Sequence, residues 1–572
     1  MPRRFASGSF AGEFLPGWQQ LLLGPDGLRL AQWLSDGQAR LVKHGPRRAV
    51  YRVDAGQQAF FIKHYRCRHW WEALGHLFRH SPSRREFDRA RVTRDRQVPT
   101  AEPVAWLEAR RAGVAHDNYL VTRAVADACS LDEYVHNTLT RLDARSAARM
   151  RRKLAIALAR LCAAAHRQGL EHDDLHAGNL LVRLDTCDSA AVDERLPELF
   201  LIDLPNVRVS RALGRRRTVA SLTMLAASCS TFASTSDMWR FLAAYLAERP
   251  ELSFRSRGEL GRRAARAIPE RKRRIGRSRD KRSLRSNRDF YRHKEGRATA
   301  LAVNDLAPAE LATLASAPHA PLAANTHRPF KLSHRSMVVQ AELKLDAGNV
   351  LVAYKRVRPR NWWKTLLHYF RRNPALQAWF YGHALLLRGI PTARPLAVIE
   401  QRRFGLPPEG YLATQWIEGA DNLHVYGWQL AQRTPEERRR RTRQVCQSLG
   451  RLVGRMHAWH VSHRDLKGCN VLVVERDDAV DCYLIDADSV HIPRRLLRIF
   501  RAFNLGRLAT TIEAHPWVTR TDRLRFFRAY LQELRRGDPD AWPHDWKQGW
   551  RTVAKARRSI VARLRRHGRE IV

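Results

Sequence analysis

HDDLHAGNLLV (172–182) and HRDLKGCNVLV (463–473) are one polar loop running into an apolar strand, written twice in the chain. Each is preceded by a lysine that closes an apolar run, FFIKHY (60–65) and LVAYKRV (351–357). Each is followed by an aspartate that ends another, LFLIDLP (199–205) and YLIDADS (483–489). Lys355 follows Lys63 by 292 positions, Asp465 follows Asp174 by 291, Asn470 follows Asn179 by 291, and Asp486 follows Asp203 by 283. Four polar residues that keep their order at near-constant spacing imply two related domains.

The repetition extends beyond the polar residues. Asp54, Ala55 and Gly56, read as a hairpin turn ahead of the first lysine, recur as Asp346, Ala347 and Gly348. RHWWEALGHLFR (68–79) matches RNWWKTLLHYFR (360–371), VPTAEPVA (98–105) matches IPTARPLA (390–397), and SDMWRFLAAYL (236–246) matches TDRLRFFRAYL (521–531). Each copy therefore spans a small lobe, a polar centre and a helical tail. The expected organisation is a first domain over 20–255, a basic helical tail or linker over 256–325, and a second domain over 326–572. A chain of 572 residues exceeds what one core usually supports.

Composition narrows the class. Hydrophobic residues at 44% and 16 tryptophans indicate a folded protein. The cysteines (Cys67, Cys129, Cys162, Cys187, Cys229, Cys446, Cys469, Cys482) show no CxxC pair or repeated spacing, the opening stretch MPRRFASGSFAGEF shows no apolar h-region, and no run reaches membrane length. A cytoplasmic location is expected, with attachment to the inner-membrane surface open to it. The net charge of +46 is extreme, and the densest basic stretch is RRAARAIPERKRRIGRSRDKRSLRSNR (262–288). It reads as a solvated helix, as attraction to anionic lipid, or as attraction to nucleic acid, which net charge does not separate. No nucleic-acid module is recognisable, which makes nucleic acid the weaker partner.

Local patterning gives the fold class. ARLVKHG, AVYRVD and QAFFIKHY are β-rich runs separated by turn residues. A helix after Ser83 leads through Pro99 and Pro103 to strands at PVAWLEA and YLVTRAV. From Ser130 the spacing turns helical, notably in ARSAARMRRKLAIALARLCAAAHRQG, which ends just before His172. The expectation is α+β: two tandem bilobal protein-kinase-like domains, each a small β-rich lobe plus a mostly helical lobe, with nucleotide in the cleft between lobes.

Phosphoryl transfer is mainly positioning and charge neutralisation, and this explains the residue types. A strand lysine reaches the ATP phosphates (Lys63, Lys355). A loop aspartate takes or orients the acceptor hydroxyl proton (Asp174, Asp465). An asparagine five residues on and a later aspartate hold Mg²⁺ (Asn179 and Asp203; Asn470 and Asp486). Glu86, on the helix after Ser83, is placed to pair with Lys63. The same offset gives Ala378, so the second copy lacks this glutamate unless a neighbour substitutes. His172 and His463 are read as braces of the loop.

HRDLKGCNVLV with LIDADSV, the preceding GIPTARPLAV and the later RRLLRIFRAFNLGRL resemble the lipopolysaccharide core kinases of the Kdo/WaaP type. The resemblance covers most of both halves. It implies a protein-kinase-like fold, use of MgATP, and a sugar hydroxyl of a lipopolysaccharide-core-like glycolipid as acceptor. It also implies Asp174 and Asp465 as catalytic residues, Asn179, Asp203, Asn470 and Asp486 as metal ligands, and Lys63 and Lys355 as phosphate-binding residues. Departures are plain. Neither copy has GxGxxG; KHGPRRAVYRV and KLSHRSMVVQAEL stand in its place. The first loop reads HDD, and Pro205 stands where the second copy has Asp488. One copy can therefore be the catalytic one while the other regulates or binds substrate.

The two WW segments allow two readings. Trp70, Trp71, Leu74, Leu77 and Phe78, and likewise Trp362, Trp363, Leu366, Leu367 and Phe370, form either an internal packing stripe or a membrane-interface stripe flanked by arginine. Two other functions stay open beside the sugar kinase. One is a kinase of a protein or small alcohol; the other is a pseudokinase scaffold with a basic membrane- or nucleic-acid-binding surface. Oligomeric state is not legible.

Overall fold

The computed structural model describes residues 3–7, 10–25, 27–45, 48–67, 80–111, 114–183, 195–229, 232–252, 257–323, 329–332, 336–357, 373–401, 409–538, 541–542 and 545–566. Both WW segments lie outside the described residues. The chain divides into two compact units, Met1–Arg271 and Lys272–Val572, and the division falls inside the helix Arg257–Asp280.

In the first unit a seven-stranded antiparallel sheet runs in the order Arg3–Ser7, Phe10–Phe14, Pro103–Arg111, Val114–Arg123, Gln58–Arg66, Arg48–Ala55, Ala39–His44. The strand Arg48–Ala55 alternates buried and half-buried positions, so Ala49, Tyr51 and Val53 pack with Phe60, Ile62, Trp18 and Trp33 in a core on one face. Helix Pro82–Asp95, capped by Ser81 accepting from the Arg84 N–H, seats Phe87 against Trp106 and Leu120. The helical lobe is built on Ala144–Arg167, whose N-terminus is capped by Asp143 accepting from the Arg145 and Ser146 N–H groups. That helix stops at Gly169, with φ of 71°, where a Cβ would sit 2.0 Å from the Ser210 carbonyl oxygen.

The second unit repeats the plan. Its sheet runs Phe290–Glu295, Ala298–Val303, Pro395–Gln401, Glu409–Gln415, Gly348–Val357, Ser336–Leu345, Pro329–Leu332. Helix Pro374–Leu387 packs Trp379 into that sheet's core, and Pro435–Ala458 centres the helical lobe.

Three expectations need correction. The first domain was expected to open at residue 20, yet the hairpin Arg3–Ser7 with Phe10–Phe14 is part of its sheet. The stretch 256–325 is expected to be a basic helical tail or linker. Arg257–Asp280 is helical, but Phe290–Glu295 and Ala298–Val303 form the corresponding edge hairpin of the second sheet. The density of arginine in this stretch hides a strand, ATALAV, that is almost wholly buried. Finally, the repeated Asp-Ala-Gly does not occupy one turn position. The first hairpin turns at Gly56–Gln57, between Ala55 and Gln58, and the second at Asp346–Ala347, between Leu345 and Gly348. The second hairpin is longer, so Lys63 is the sixth residue of its strand and Lys355 the eighth. On the other side the register is kept: Lys63 faces Leu120 and Lys355 faces Leu412.

Candidate functional site

The loop in each unit is held by its histidine. His172 ends the short strand Leu170–His172, paired with Val207–Val209, and His463 ends Ser462–His463, paired with Val490–His491. The Asp174 N–H donates to His172 Nδ1 at 3.1 Å, so Nε2 carries the proton and donates to the Ile202 carbonyl at 3.1 Å. His463 repeats this between the Asp465 N–H (3.3 Å) and the Ile485 carbonyl (3.1 Å). Burial pushes both imidazoles down from their ordinary pKa, which keeps them neutral. They brace the loop and do not face it as bases.

Past each aspartate a 3-10 turn, Ala177–Asn179 or Gly468–Asn470, buries the asparagine. Asn179 Nδ2 donates to the Asp174 carbonyl at 3.0 Å. Asn470 Nδ2 donates to the Asp465 carbonyl at 2.7 Å and to its Oδ2 at 3.2 Å. These bonds use the amide nitrogen and leave each Oδ1 for another partner. Asp203 and Asp486 follow in the left-handed region, with φ of 61° and 64°. Such a backbone is uncommon outside glycine and points to a fixed demand on the side chain's direction.

In the first unit the charges converge. Lys63 Nζ lies 2.5 Å from Glu86 Oε1 and 3.3 Å from Asp203 Oδ1. Glu86, buried at 2% exposure, also accepts from the Tyr65 hydroxyl and from the Leu204 N–H at 3.2 Å. Arg48 Nη1 reaches Asp203 Oδ1 at 2.7 Å. Burial opposes ionisation of Asp203, but Lys63 and Arg48 outweigh it and hold the carboxyl well below the usual carboxylate range.

The second unit solves the same problem with a different carboxylate. Ala378 is buried at the position of Glu86. Lys355 Nζ lies 2.5 Å from Asp486 Oδ1 and 3.5 Å from Asp488 Oδ2. Asp488 stands two residues after Asp486, where the first unit has Pro205, and its carbonyl accepts from Gln377 Nε2 at 3.0 Å. Burial and the neighbouring Asp486 push the Asp488 carboxyl up, against the opposing pull of Lys355. The charged group that orients the lysine has thus moved from helix to loop.

Sequence reasoning missed two contributors. Arg48 lies in the segment replacing a glycine loop, but only cross-strand register brings it beside Asp203, because Arg48 pairs with Tyr65 and Val50 with Lys63. The residue at its register in the second sheet is Ser336, opposite Val357. The repeated Pro-Thr was visible without its reason. Thr100 Oγ1 donates to the Leu201 carbonyl at 2.7 Å, and Thr392 Oγ1 to that of Leu484 at 2.6 Å. The Leu201 and Leu484 N–H groups bond the Pro99 and Pro391 carbonyls at 2.9 Å. Each Pro-Thr clamps the strand that leads to Asp203 or Asp486.

A strand lysine with its carboxylate partner, a histidine-braced aspartate loop and a left-handed aspartate, set between a sheet lobe and a helical lobe, define a protein-kinase-like architecture, here present twice. The chain belongs to the lipopolysaccharide kinase (Kdo/WaaP) family, whose model matches residues 32–245 and 360–530. Similar proteins include a 3-deoxy-D-manno-octulosonic acid kinase of Pasteurella multocida (strain Pm70), 30% identical over 153 residues, or 26% of this chain and 59% of that one. Another, of the same description, from Haemophilus influenzae (strain 86-028NP), is 28% identical over 126 residues, or 22% of this chain and 48% of that one. The match thus spans about half the length of these relatives. Among solved structures, WaaP in complex with acyl carrier protein aligns with a TM-score of 0.31 at 21% identity, over 45% of this chain and 98% of that one.

Proposed function

We propose that this chain is an ATP-dependent kinase that phosphorylates a sugar hydroxyl of a lipopolysaccharide-core-like glycolipid at the cytoplasmic face of the membrane. Family membership supports the reaction class and the acceptor. The observation that carries the reading is the pairing, in both units, of a fixed strand lysine with a left-handed aspartate beside a loop that presents a second aspartate.

The donor set suits a hard cation. Among the described residues no three carboxylate, thiolate or imidazole groups are clustered to hold a metal by themselves. One carboxylate and one amide oxygen per site match Mg²⁺, which takes its remaining ligands from phosphates and water. Asn179 with Asp203, and Asn470 with Asp486, would hold the ion, which would neutralise charge on the transferring group. Lys63 and Lys355 orient the nucleotide phosphates, and Glu86 and Asp488 fix the lysines. Asp174 and Asp465, at 69% and 43% side-chain exposure, are open to an acceptor and take its hydroxyl proton. Lys467 and Arg507 lie 3.5 and 3.8 Å from the Asp465 carboxylate, a basic setting for an anionic acceptor. At the corresponding point the first unit has His176, 3.6 Å from Asp174.

The test is transfer of the ATP γ-phosphate to purified lipopolysaccharide by wild type, Asp174→Asn, Asp465→Asn and the double variant. A loss of about 10²-fold or more is expected in a single variant if one unit catalyses, and only in the double variant if both do. Nucleotide binding with no transfer in wild type would refute the acceptor, and no nucleotide binding would favour a scaffold.

A further inference from the structure

The helix Arg498–Ile512 of the second unit opens on an outward apolar patch. Leu497, Ile499, Phe500 and Phe503 are 57%, 56%, 52% and 39% exposed. Arg494, Arg495 and Arg498 are exposed among them, and positions 489–512 contain no acidic residue. Large apolar side chains gathered on a surface and ringed by cations mark an interaction site.

The first unit shows that the fold does not require this patch. Ser221 Oγ and Asn504 Oδ1 each meet Nε2 of a buried histidine, His166 at 2.9 Å and His457 at 3.2 Å. Ser228 Oγ and Thr511 Oγ1 each accept from the loop backbone, from the Ala177 N–H at 3.1 Å and the Gly468 N–H at 3.0 Å. Both pairs are 283 positions apart, the spacing of Asp203 and Asp486, so the helices Arg215–Cys229 and Arg498–Ile512 share one register. In that register Leu497, Ile499, Phe500 and Phe503 replace Gly214, Arg216, Arg217 and Ala220. The same helix forms with arginine, glycine and alanine at these points.

The patch also lies close to the proposed chemistry. Phe500, Phe503 and Arg507 recur at helical spacing on one stripe, and Arg507 approaches Asp465 at 3.8 Å. At 1.5 Å per residue, Phe500 stands about 10 Å along the axis from the residue that contacts Asp465. Interfacial helices bury their apolar side to about 5–10 Å. We infer that the first two turns of this helix dock on an anionic lipid surface, with Leu497, Ile499, Phe500 and Phe503 at the acyl boundary and Arg494, Arg495 and Arg498 on headgroup phosphates. The inference rests on the reading of Asp465 as facing a membrane-borne acceptor, and it supplies the surface that brings the acceptor there. A nucleic acid would account for the arginines but not for exposed Leu497 and Ile499, which offer a base no stacking face.

The first unit's own residues make the test. Ile499→Arg with Phe500→Arg adds positive charge while removing apolar area, in a register already known to carry arginine. Flotation of the full chain with vesicles of mixed phosphatidylcholine and phosphatidylglycerol should show binding weakened on the order of tenfold or more, with the circular dichroism spectrum and MgATP affinity unchanged. Leu497→Ser, the most exposed of the four, carries the same expectation at smaller amplitude if the double variant does not fold. Unchanged or tighter binding would mean attraction by charge alone and would overturn the inference. So would a wild type that ignores the vesicles, or one that RNA strips from them. Vesicle binding is read without turnover, so a chain that docks but transfers no phosphate would refute the proposed reaction and leave the docking surface standing.

Discussion

At the scale of single residues, the two sites differ by an exchange of carboxylates. Glu86 with Pro205 in one unit becomes Ala378 with Asp488 in the other, and both arrangements place a carboxylate at the strand lysine. Both substitutions are legible in the sequence, but as two unrelated departures. Their connection is three-dimensional, because the loop and the helix meet beside the lysine: the Leu204 N–H donates to Glu86, and Gln377 Nε2 donates to the Asp488 carbonyl. Asp488 is accordingly expected to position Lys355. With Asp174→Asn silencing the first unit, Asp488→Asn should lower turnover about tenfold or more, the worth of a charged hydrogen bond, and Ala378→Glu should restore much of it. The mirror experiment, Glu86→Ala rescued by Pro205→Asp with Asp465→Asn in place, should behave alike. Nucleotide affinity, measured beside turnover, should fall and recover in step. A carboxylate that cannot be relocated in either unit would mean that these residues act locally and not through the lysine.

At the scale of elements, the central helix of each helical lobe carries a buried histidine tied to a distant tyrosine. His166 Nδ1 lies 2.8 Å from the Tyr245 hydroxyl, and His457 Nδ1 lies 3.0 Å from that of Tyr530. These residues were visible only as helix-spaced positions and as the repeated AYL, since a histidine's partner cannot be read from spacing. Burial, aided by nearby arginine, pushes each imidazole down to about 3. The unfolded chain takes up a proton in the ordinary histidine range near 6.5 and the folded chain does not, so each lobe loses stability as pH falls below that range, until the folded group titrates near 3. The slope is about 1.4 kcal/mol per pH unit for each histidine. Urea unfolding at pH 7, 6 and 5 should therefore show the stability advantage of wild type over His166→Gln shrinking by about that amount per unit over the lower part of the range. A gap that does not change with pH would mean that His166 titrates in the fold as it does in the unfolded chain.

At the scale of the whole chain, duplication is the most legible property, because a lysine, a loop aspartate, an asparagine and a second aspartate recur in order and the strands and helices around them recur as well. The edge hairpins were the least legible. Phe290–Glu295 with Ala298–Val303 sits in an arginine-rich stretch whose charge masks its alternation, and Arg3–Ser7 with Phe10–Phe14 is too short to announce a strand pair without its neighbour Pro103–Arg111. Both units keep a lysine, an asparagine and two aspartates within a complete pair of lobes, and a unit retained only for its surface has no physical need for that set. Two nucleotide sites per chain are therefore expected. Calorimetric titration with Mg²⁺ and a non-hydrolysable ATP analogue should give a stoichiometry of about two, and Asp203→Asn and Asp486→Asn should each reduce it to about one. The sites need not be equal in affinity, since Arg48 meets Asp203 in the first unit while Asp488 crowds Lys355 in the second. If wild type binds a single equivalent, the variant that abolishes binding identifies the unit that holds nucleotide. The other unit's lysine and aspartate are then a structural ion pair, and its loop aspartate serves the fold or the acceptor instead.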